Sequence, residues 1–440
     1  MIYKSLLTTD AHTKRRNAAE ARFKSYGLGA IIIAMLALAL LLSSVVATGS
    51  SAFKQTYATV FIPLPEKKLD KSGIRNLEVM KKITTLSYAN LLRDGMIAAI
   101  GDLNLQTTMS NKDIGGMLSK EAAATVRDRV LANPEIIGTK VEFTLLTNGR
   151  IDGYFKGRVT MESAALDGNT SPAELQLAQE LADAGVFDTT FNWAFLTAPD
   201  ASDQRPEAAG LGVAILGSLY MMTVVLVLAL PIGVAASIYL EEFAPKNRWT
   251  DIIEVNISNL AAVPSIVYGI LGLAIFINFL EFNQSSPLVG GLVLTLMTLP
   301  TIIISTRVAL KSVPPSIRDA ALGVGASKMQ SVFHHVLPLA APGILTGTII
   351  GLAQALGETA PLLLIGMVAF VREYPAAYTA DAGLFGEAST ALPVQVFNWT
   401  QRADPGFVER ASGAIITLLI FLLIMNAIAI FLRRKFERRW

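Results

Sequence analysis

The sequence of 440 residues contains no cysteine, which excludes disulfide bonds, zinc–cysteine sites, iron–sulfur clusters and cysteine nucleophiles. Its three histidines leave no HExxH helix and little material for another histidine-based metal site. The dipeptide Gly-Lys is also missing, and with it the GxxxxGKS/T loop that cradles the phosphates of ATP. We therefore expect no metal and no cofactor, and an ATP-driven activity would need a separate ATPase subunit.

Charge is scarce as well, at 16% of residues against about 25% in a soluble domain, whereas 52% of the residues are hydrophobic. The mean hydropathy is +0.48, and a net charge of +2 is too small to indicate nucleic-acid binding. A membrane span needs about 20 mainly apolar residues. The long uncharged runs predict an α-helical membrane protein with six transmembrane helices, at residues 28–47, 211–236, 258–280, 289–309, 343–370 and 412–432.

Basic residues near the ends of the spans predict the orientation, because the cytoplasmic flanks of membrane helices are enriched in Lys and Arg. The tails 1–27 and 433–440 are both basic, with residues such as Lys4, Arg438 and Arg439, so both termini are expected in the cytoplasm. The first apolar run is longer than that of a signal peptide, and we interpret it as an uncleaved anchor.

Residues 48–205 follow the first span and are much richer in charge than the rest of the chain, which predicts an inserted α+β domain outside the cytoplasm. Apolar spacing predicts helices over 67–100 and 111–131, and Asn148-Gly149 predicts the turn of a β-hairpin. No pattern of catalytic residues stands out. The domain is either a passive insertion or a docking or regulatory module, and the sequence leaves both open.

The most specific pattern lies between the fourth and fifth predicted spans, in residues 315–340. Its characteristic residues are Asp319, Ala320, Ala321, Gly325, Leu337 and Pro338. This spacing resembles the EAA loop of ABC importer permeases, with Asp319 in place of the usual Glu and His335 in place of Ile. Small alanines keep one helix face open, Gly325 allows a sharp turn, and Pro338 ends the element. The resemblance implies that this loop couples to an ATPase.

Three further segments narrow the resemblance: Glu241–Arg248 after the second span, Leu260–Gly269 at the third, and Gly357–Pro361 in the fifth. Together they are similar to the A-type permease subunits of bacterial phosphate-specific ABC importers, over about residues 208–440 plus the first span. The inserted domain resembles the extra N-terminal domain that some proteobacterial members carry.

The resemblance implies a type I ABC permease fold over residues 206–432 in the bacterial inner membrane, with a transport role and no enzymatic activity. It implies as partners a second permease of the C type, a dimer of ATP-binding subunits, a periplasmic phosphate-binding protein and membrane lipid, with phosphate as substrate. Two other functions stay open. One is a permease for sulfate, molybdate or phosphonate, and the other is a membrane sensor with residues 48–205 as its ligand domain, against which the loop 315–340 argues.

An ionisable residue inside a span is costly and typically faces a cavity or a partner. Glu358 is such a residue, and the resemblance implies that it lies on the substrate path. The candidate path residues are Glu358, Thr359, Gln354, Arg307 and Ser265. Gln354 stands where many members have Arg, so the charge that attracts an anion has to come from elsewhere, and Arg307 and the partner permease are two candidates. In the alternative, Glu358 pairs with an Arg of another helix, and Arg307 and Lys311 extend to lipid headgroups.

Overall fold

The computed structural model describes residues 11–70, 73, 75–368 and 370–436. It consists of two units, one ending at Thr48 and the other beginning at Gly49. The first unit contains helix α1 (Ala11–Gly49), except for its last residue, Gly49, which belongs to the second unit. Helix α1 extends beyond the predicted span 28–47 at both ends. The predicted tail residues Lys4, Arg438 and Arg439 lie outside the described residues.

The second unit opens with an antiparallel three-stranded sheet, in the order β2-β1-β3, formed by β1 (Lys54–Pro63), β2 (Lys140–Leu146) and β3 (Phe187–Phe191). Alternate residues of β1 (Ala58, Val60 and Ile62) are buried, as expected for a sheet that is covered on one face. Its helices are α2 (Glu66–Leu69), α3 (Leu77–Met80), α4 (Thr85–Asp102), α5 (Asn111–Gly116), α6 (Ala122–Ala132), α7 (Gly149–Phe155), α8 (Met161–Leu166), α9 (Pro172–Asp183) and α10 (Trp193–Thr197), with 3-10 turns at Ser50–Phe53, Pro134–Ile136 and Pro206–Ala208. The predicted α+β domain is confirmed.

The predicted hairpin at Asn148-Gly149 is wrong. The side-chain oxygen of Asn148 accepts hydrogen bonds from the N–H groups of Arg150 and Ile151, at 3.0 and 2.8 Å, and so begins α7. Strand β2 pairs with β1 instead of with the residues that follow it. An Asn in front of a Gly suits both a tight turn and a helix start, and here the capping hydrogen bonds decide.

The predicted helices over 67–100 and 111–131 are both interrupted. In the first, Asp70 ends α2 by accepting hydrogen bonds from two of the backbone N–H groups that follow it. In the second, the chain leaves the helical path between α5 and α6 because the Ser119 N–H donates to the Leu146 carbonyl at 2.9 Å. Both interruptions are caused by hydrogen bonds that apolar spacing does not report.

The rest of the chain is helical apart from connecting loops and a short ladder of β4 (Tyr378–Thr379) and β5 (Gly383–Leu384). Its α-helices are α11 (Gly212–Ile238), α12 (Arg248–Ala261), α13 (Ser265–Gly272), α14 (Pro287–Lys311), α15 (Pro315–Gly323), α16 (Lys328–Ser331), α17 (Leu337–Gly357), α18 (Ala360–Leu364), α19 (Leu392–Thr400) and α20 (Gly406–Phe436), and π-helical segments lie at Tyr239–Phe243, Leu273–Phe279 and Val332–Val336. Within the described residues, α1, α11, α14, α17 and α20 belong to segments long and apolar enough to cross a membrane.

Two predicted spans are broken. The span 258–280 divides into α12 and α13, whose axes differ by 100°, because Pro264 lacks the N–H that a continuous helix needs. Counted as one bent span, the pair brings the total to six. The predicted span 343–370 ends its first helix at Gly357, since Glu358 has extended backbone with ψ 132° before α18 begins.

Small residues let the membrane helices approach closely around α14. A Cβ placed at Gly291 of α14 would lie 2.5 Å from the Cβ of Val224 on α11, and one placed at Gly347 of α17 would overlap Ser305 Oγ on α14. Neither position has room for a side chain. Helix α14 therefore packs closely against both α11 and α17. Small residues at helix contacts allow such close approach between membrane helices.

A buried charge cluster, formed by Asp152, Lys156, Arg158, Glu409 and Arg410, joins the α+β domain to the first turns of α20. The Lys156 ammonium lies 2.6 Å from Asp152 Oδ2 and 2.8 Å from Glu409 Oε1, with its side chain only 2% exposed. Arg158 binds the other oxygen of Glu409 at 2.7 Å, and Arg410 donates to the Gln55 side chain at 2.7 Å. The cluster fixes the domain to the last span.

We expect Lys156→Met to lower the stability of the folded chain by about 3 kcal/mol, because Asp152 and Glu409 then share a buried site without their common cation. The measurement is the shift in unfolding temperature of the purified protein in detergent. Lys81→Met is the matched control, since its ion pair with Glu78 is largely exposed and such pairs contribute about 0–1 kcal/mol. Equal shifts for the two variants would contradict a stabilising role of the cluster.

Candidate functional site

The loop 315–340 folds as the short helix α15 and a tight turn, after which α16, the π-helical segment Val332–Val336 and α17 continue as one helix. The expectation that Pro338 ends the element is wrong, because Pro338 lies inside this continuous helix. Gly325 stands at the turn with φ +89°, and the Gly325 N–H donates to the Leu322 carbonyl at 3.0 Å. Ser327 then begins α16, where its side chain and that of Gln330 form reciprocal capping hydrogen bonds. Glycine is required at the turn because side chains with a Cβ rarely adopt this backbone conformation.

One side of the loop is anchored and the other is exposed. Val332 and Val336 are buried against the ends of α11, α14 and α17, with Ile317 and Leu337 packed beside them. The side facing away exposes large apolar residues, namely Leu322, Val324, Met329 and Phe333. Of the predicted coupling residues, Asp319, Ala320 and Gly325 are exposed, Ala321 is buried, and Leu337 and Pro338 are half-buried.

Arg318, next to the motif, holds the loop in place and was missed in the sequence analysis. Its Nη2 lies 2.6 Å from Glu242 Oε1 and its Nε 3.1 Å from the same oxygen, and it also donates to the carbonyls of Val313 and Leu310 at 2.8 and 3.0 Å. The Glu242 side chain is 7% exposed. One guanidinium thus connects α15 to the ends of α11 and α14. The acidic pair after the second span was the signal that a basic partner was needed.

Arg307 lies in a second ion-pair network. Its Nη2 contacts Glu254 Oε1 at 2.6 Å, its Nε is 3.4 Å from Glu241 Oε2, and Lys311 approaches the same Glu241 oxygen at 3.5 Å. The guanidinium is therefore held by two carboxylates where α11, α12 and α14 meet. This arrangement favours a structural role for Arg307, and its place on the substrate path stays a prediction.

The two broken spans pack against each other, and three of the predicted path residues lie at their breaks: Ser265 begins α13, and Glu358 and Thr359 lie between α17 and α18. A Cβ at Gly269 would lie 2.7 Å from the Pro361 Cα, and one at Gly272 would lie 3.4 Å from the Ile365 side chain, so α13 and α18 run parallel. Irregular backbone at such breaks is typical of substrate sites in transporters.

Glu358 is half-buried, and in the part of the chain that the structure describes no side chain forms an ion pair or hydrogen bond with its carboxylate. The alternative in which it pairs with an Arg therefore has no support among those residues. Gln354, one helical turn earlier on α17, is exposed, and Thr359 and Ser265 are half-buried. Polar groups from two spans are thus available for a ligand at the break.

A cleft of about 1260 Å³ that the sequence analysis did not anticipate lies between the α+β domain and residues 401–405. Glu207 lines it and accepts a hydrogen bond from Ser119 Oγ at 2.6 Å. Burial raises the pKa of the Glu207 carboxyl, and the Ser119 hydrogen bond and the positive charge of Arg410 partly offset this increase. Ion pairs of Arg205 with Glu121 and of Arg402 with Asp200 stabilise the walls.

Comparison with known families divides the chain into two parts. Residues 229–440 match the model of the binding-protein-dependent transport system inner membrane component. Residues 10–165 match a domain of unknown function, DUF3333, which includes α1 and most of the α+β domain.

Individual relatives match over about half of the chain. The probable ABC transporter permease protein YqgI of Bacillus subtilis is 32% identical over 231 residues, which cover 50% of this chain and 78% of that protein. The phosphate transport system permease protein PstA 1 of Mycobacterium tuberculosis is 31% identical over 233 residues, covering 53% and 73%. Among solved structures, an inward-facing methionine ABC transporter matches at 15% identity with a TM-score of 0.40, covering 51% of this chain and 97% of that one.

Proposed function

This chain belongs to the inner membrane permeases of binding-protein-dependent ABC transporters, the family that includes the phosphate transport permeases, and from this we propose that it is a permease subunit of an ATP-driven phosphate importer. It is a transport subunit and not an enzyme. In the proposed complex it forms the phosphate path with a C-type second permease. Two ATP-binding subunits drive the cycle, and a periplasmic phosphate-binding protein delivers the substrate.

The observation that carries the proposal is the geometry of the loop 315–340. It presents an exposed apolar surface around a glycine turn and is tied to the body by Arg318. An ATPase that engages this surface displaces α15, and the Arg318–Glu242 pair transmits the displacement to α11 while the carbonyls of Leu310 and Val313 transmit it to α14. The proposed contact residues are Asp319, Ala320, Ala321, Gly325, Leu337 and Pro338.

The proposed topology places both termini and the loop 315–340 in the cytoplasm, with residues 48–205 on the opposite side of the bacterial inner membrane. Basic residues flank the spans on the proposed cytoplasmic side, in agreement with the usual bias of such loops. The proposed division is a tail over 1–27, a first span, the α+β domain, a permease domain over 206–432 and a tail over 433–440.

We place the substrate path at the breaks beside Glu358, Thr359, Gln354 and Ser265. Protonated phosphate is distinguished from sulfate by its hydroxyl group, which donates a hydrogen bond that sulfate cannot donate at neutral pH. A carboxylate is an acceptor only, so Glu358 suits phosphate and disfavours sulfate. The positive charge that an anion needs would come from the partner permease, since Arg307 is already held by Glu241 and Glu254.

Gly325→Asp should uncouple ATP hydrolysis from transport, because a left-handed backbone costs a residue with a Cβ roughly 1–2 kcal/mol and the turn would change shape. The measurement is phosphate uptake together with ATP hydrolysis in membrane vesicles that contain the complete importer. Gly323→Asp is the matched control, since Gly323 lies in open space without positive φ. Gly325→Val should be at least as severe as Gly325→Asp, because a β-branched residue adopts this conformation least readily. If ATP hydrolysis stayed coupled to phosphate uptake in Gly325→Asp, or if Gly323→Asp lost the coupling to the same extent, the proposed role of the turn at Gly325 would be contradicted.

Glu358→Gln keeps the shape of the side chain but replaces an acceptor oxygen by a donor. We expect phosphate uptake to fall about tenfold or more, which corresponds to the loss of one hydrogen bond to a charged group. Sulfate should then compete better than in the unaltered protein. The control is Glu281→Gln in the exposed connection between α13 and α14. Unchanged uptake and unchanged competition in Glu358→Gln would remove Glu358 from the path.

A further inference from the structure

A row of aromatic rings runs from the interior of the protein to its surface where the α+β domain meets the spans. Phe195 is fully buried and contacts Phe53 edge-on at 5.2 Å between ring centroids. Phe53 in turn stacks on Phe191 at 6.2 Å, and Phe191 contacts Trp193 at 4.7 Å. Phe191 is 48% exposed and Trp193 is 68% exposed. Phe53, Phe191 and Trp193 form a surface that we call the aromatic patch.

Helix α20 fixes the level of this patch along the membrane normal. Its uncharged run begins directly after Arg410. A Cβ at Gly413 would lie 2.6 Å from the Ala52 Cβ and 2.9 Å from the Phe195 ring. The residues on either side of the patch therefore pack against α20 within one turn of the point where its apolar run starts.

The start of α11, the second span, places the aromatic patch at the same depth in the membrane. The Leu211 N–H, immediately before α11, donates to the Phe195 carbonyl at 2.7 Å, and the Gly212 N–H donates to the Ala198 carbonyl at 2.9 Å. The patch is thus adjacent to the start of α11 as well as to the start of the apolar run of α20. Both positions are where a spanning helix meets the boundary of the hydrocarbon layer.

The chemistry of the patch suits that boundary. Trp is enriched at membrane–water interfaces because its ring is apolar and its N–H is polar. Lys54 lies opposite Phe191 in the ladder between β1 and β3 and is exposed, so the two side chains extend from the same face of the sheet. Positive charge next to an apolar surface complements the phosphates of lipid headgroups.

We propose that the aromatic patch inserts into the headgroup–acyl boundary of the bilayer, so that the α+β domain binds the lipid surface directly. The proposal rests on the assignment of α11 and α20 as membrane spans. The buried charge cluster attaches the domain to α20, and the aromatic patch attaches it to the lipid surface beside that span. A domain held at two points is a fixed part of the permease and not a tethered module.

The absence of native cysteine allows the proposal to be tested with single spin labels in the assembled importer in lipid nanodiscs. Three variants each carry one label: Trp193→Cys, Leu166→Cys and Leu423→Cys. Leu166 of α8 is 92% exposed and serves as the reference in water, and Leu423 lies in the middle of the apolar run of α20 and serves as the reference in the membrane. Collision with oxygen, which partitions into lipid, is compared with collision with a water-soluble nickel chelate. The ratio reports the depth of each label.

We expect the oxygen-to-nickel ratio at position 193 to be several-fold higher than at 166 and lower than at 423. A ratio at 193 equal to that at 166 would place the patch in water and overturn the proposal. Low collision with both reagents at 193 would mean that protein covers the patch, which also overturns it. The label at 423 tests the span itself, so an error in the membrane assignment shows there and not at the patch. Phe191→Cys repeats the measurement if Trp193→Cys does not assemble.

Discussion

A charge that is removed from water has to be paired, and this constraint sets how the membrane helices are connected at both ends. At the start of α20, the Glu409 carboxylate is held by Lys156 and Arg158 of the α+β domain. At the other end of the spans, Arg318 binds Glu242 and connects α15 to α11. The uncharged runs between these ends pack through small residues around α14. The ion pairs therefore define which elements are joined at the two ends of the spans.

The same constraint separates rigid from irregular parts of the chain. The loop 315–340 is fixed by a guanidinium that satisfies one carboxylate and two helix-end carbonyls, which suits the proposed transmission of a displacement from the ATPase. The breaks before α13 and α18 leave backbone groups without helical partners. Such groups are tolerated at membrane depth only where protein or a water-filled cavity satisfies them. The proposed substrate path therefore lies at the irregular parts, and the proposed contact with the ATPase lies on a rigid part.

The sequence was sufficient to locate the apolar runs of the spans and the glycine turn, because long apolar runs and a positive-φ position have few alternatives. It was not sufficient where a tertiary hydrogen bond decides between two local structures, as at Asn148, which caps a helix instead of turning a hairpin. The bend at Pro264 was visible as a proline but not as a change of direction by 100°. Ion pairs such as those of Arg318 and Arg307 join residues more than 50 positions apart, and one sequence does not contain that pairing.

The most direct measurement is the uptake of radiolabelled phosphate by cells that lack their own phosphate permeases and express this chain with its partner permease, ATPase and binding protein. We expect energy-dependent uptake that needs this chain and that unlabelled phosphate inhibits, whereas sulfate and molybdate do not. Uptake that is equally inhibited by sulfate or molybdate, or that continues when this chain is omitted, would contradict its role as the phosphate-conducting permease.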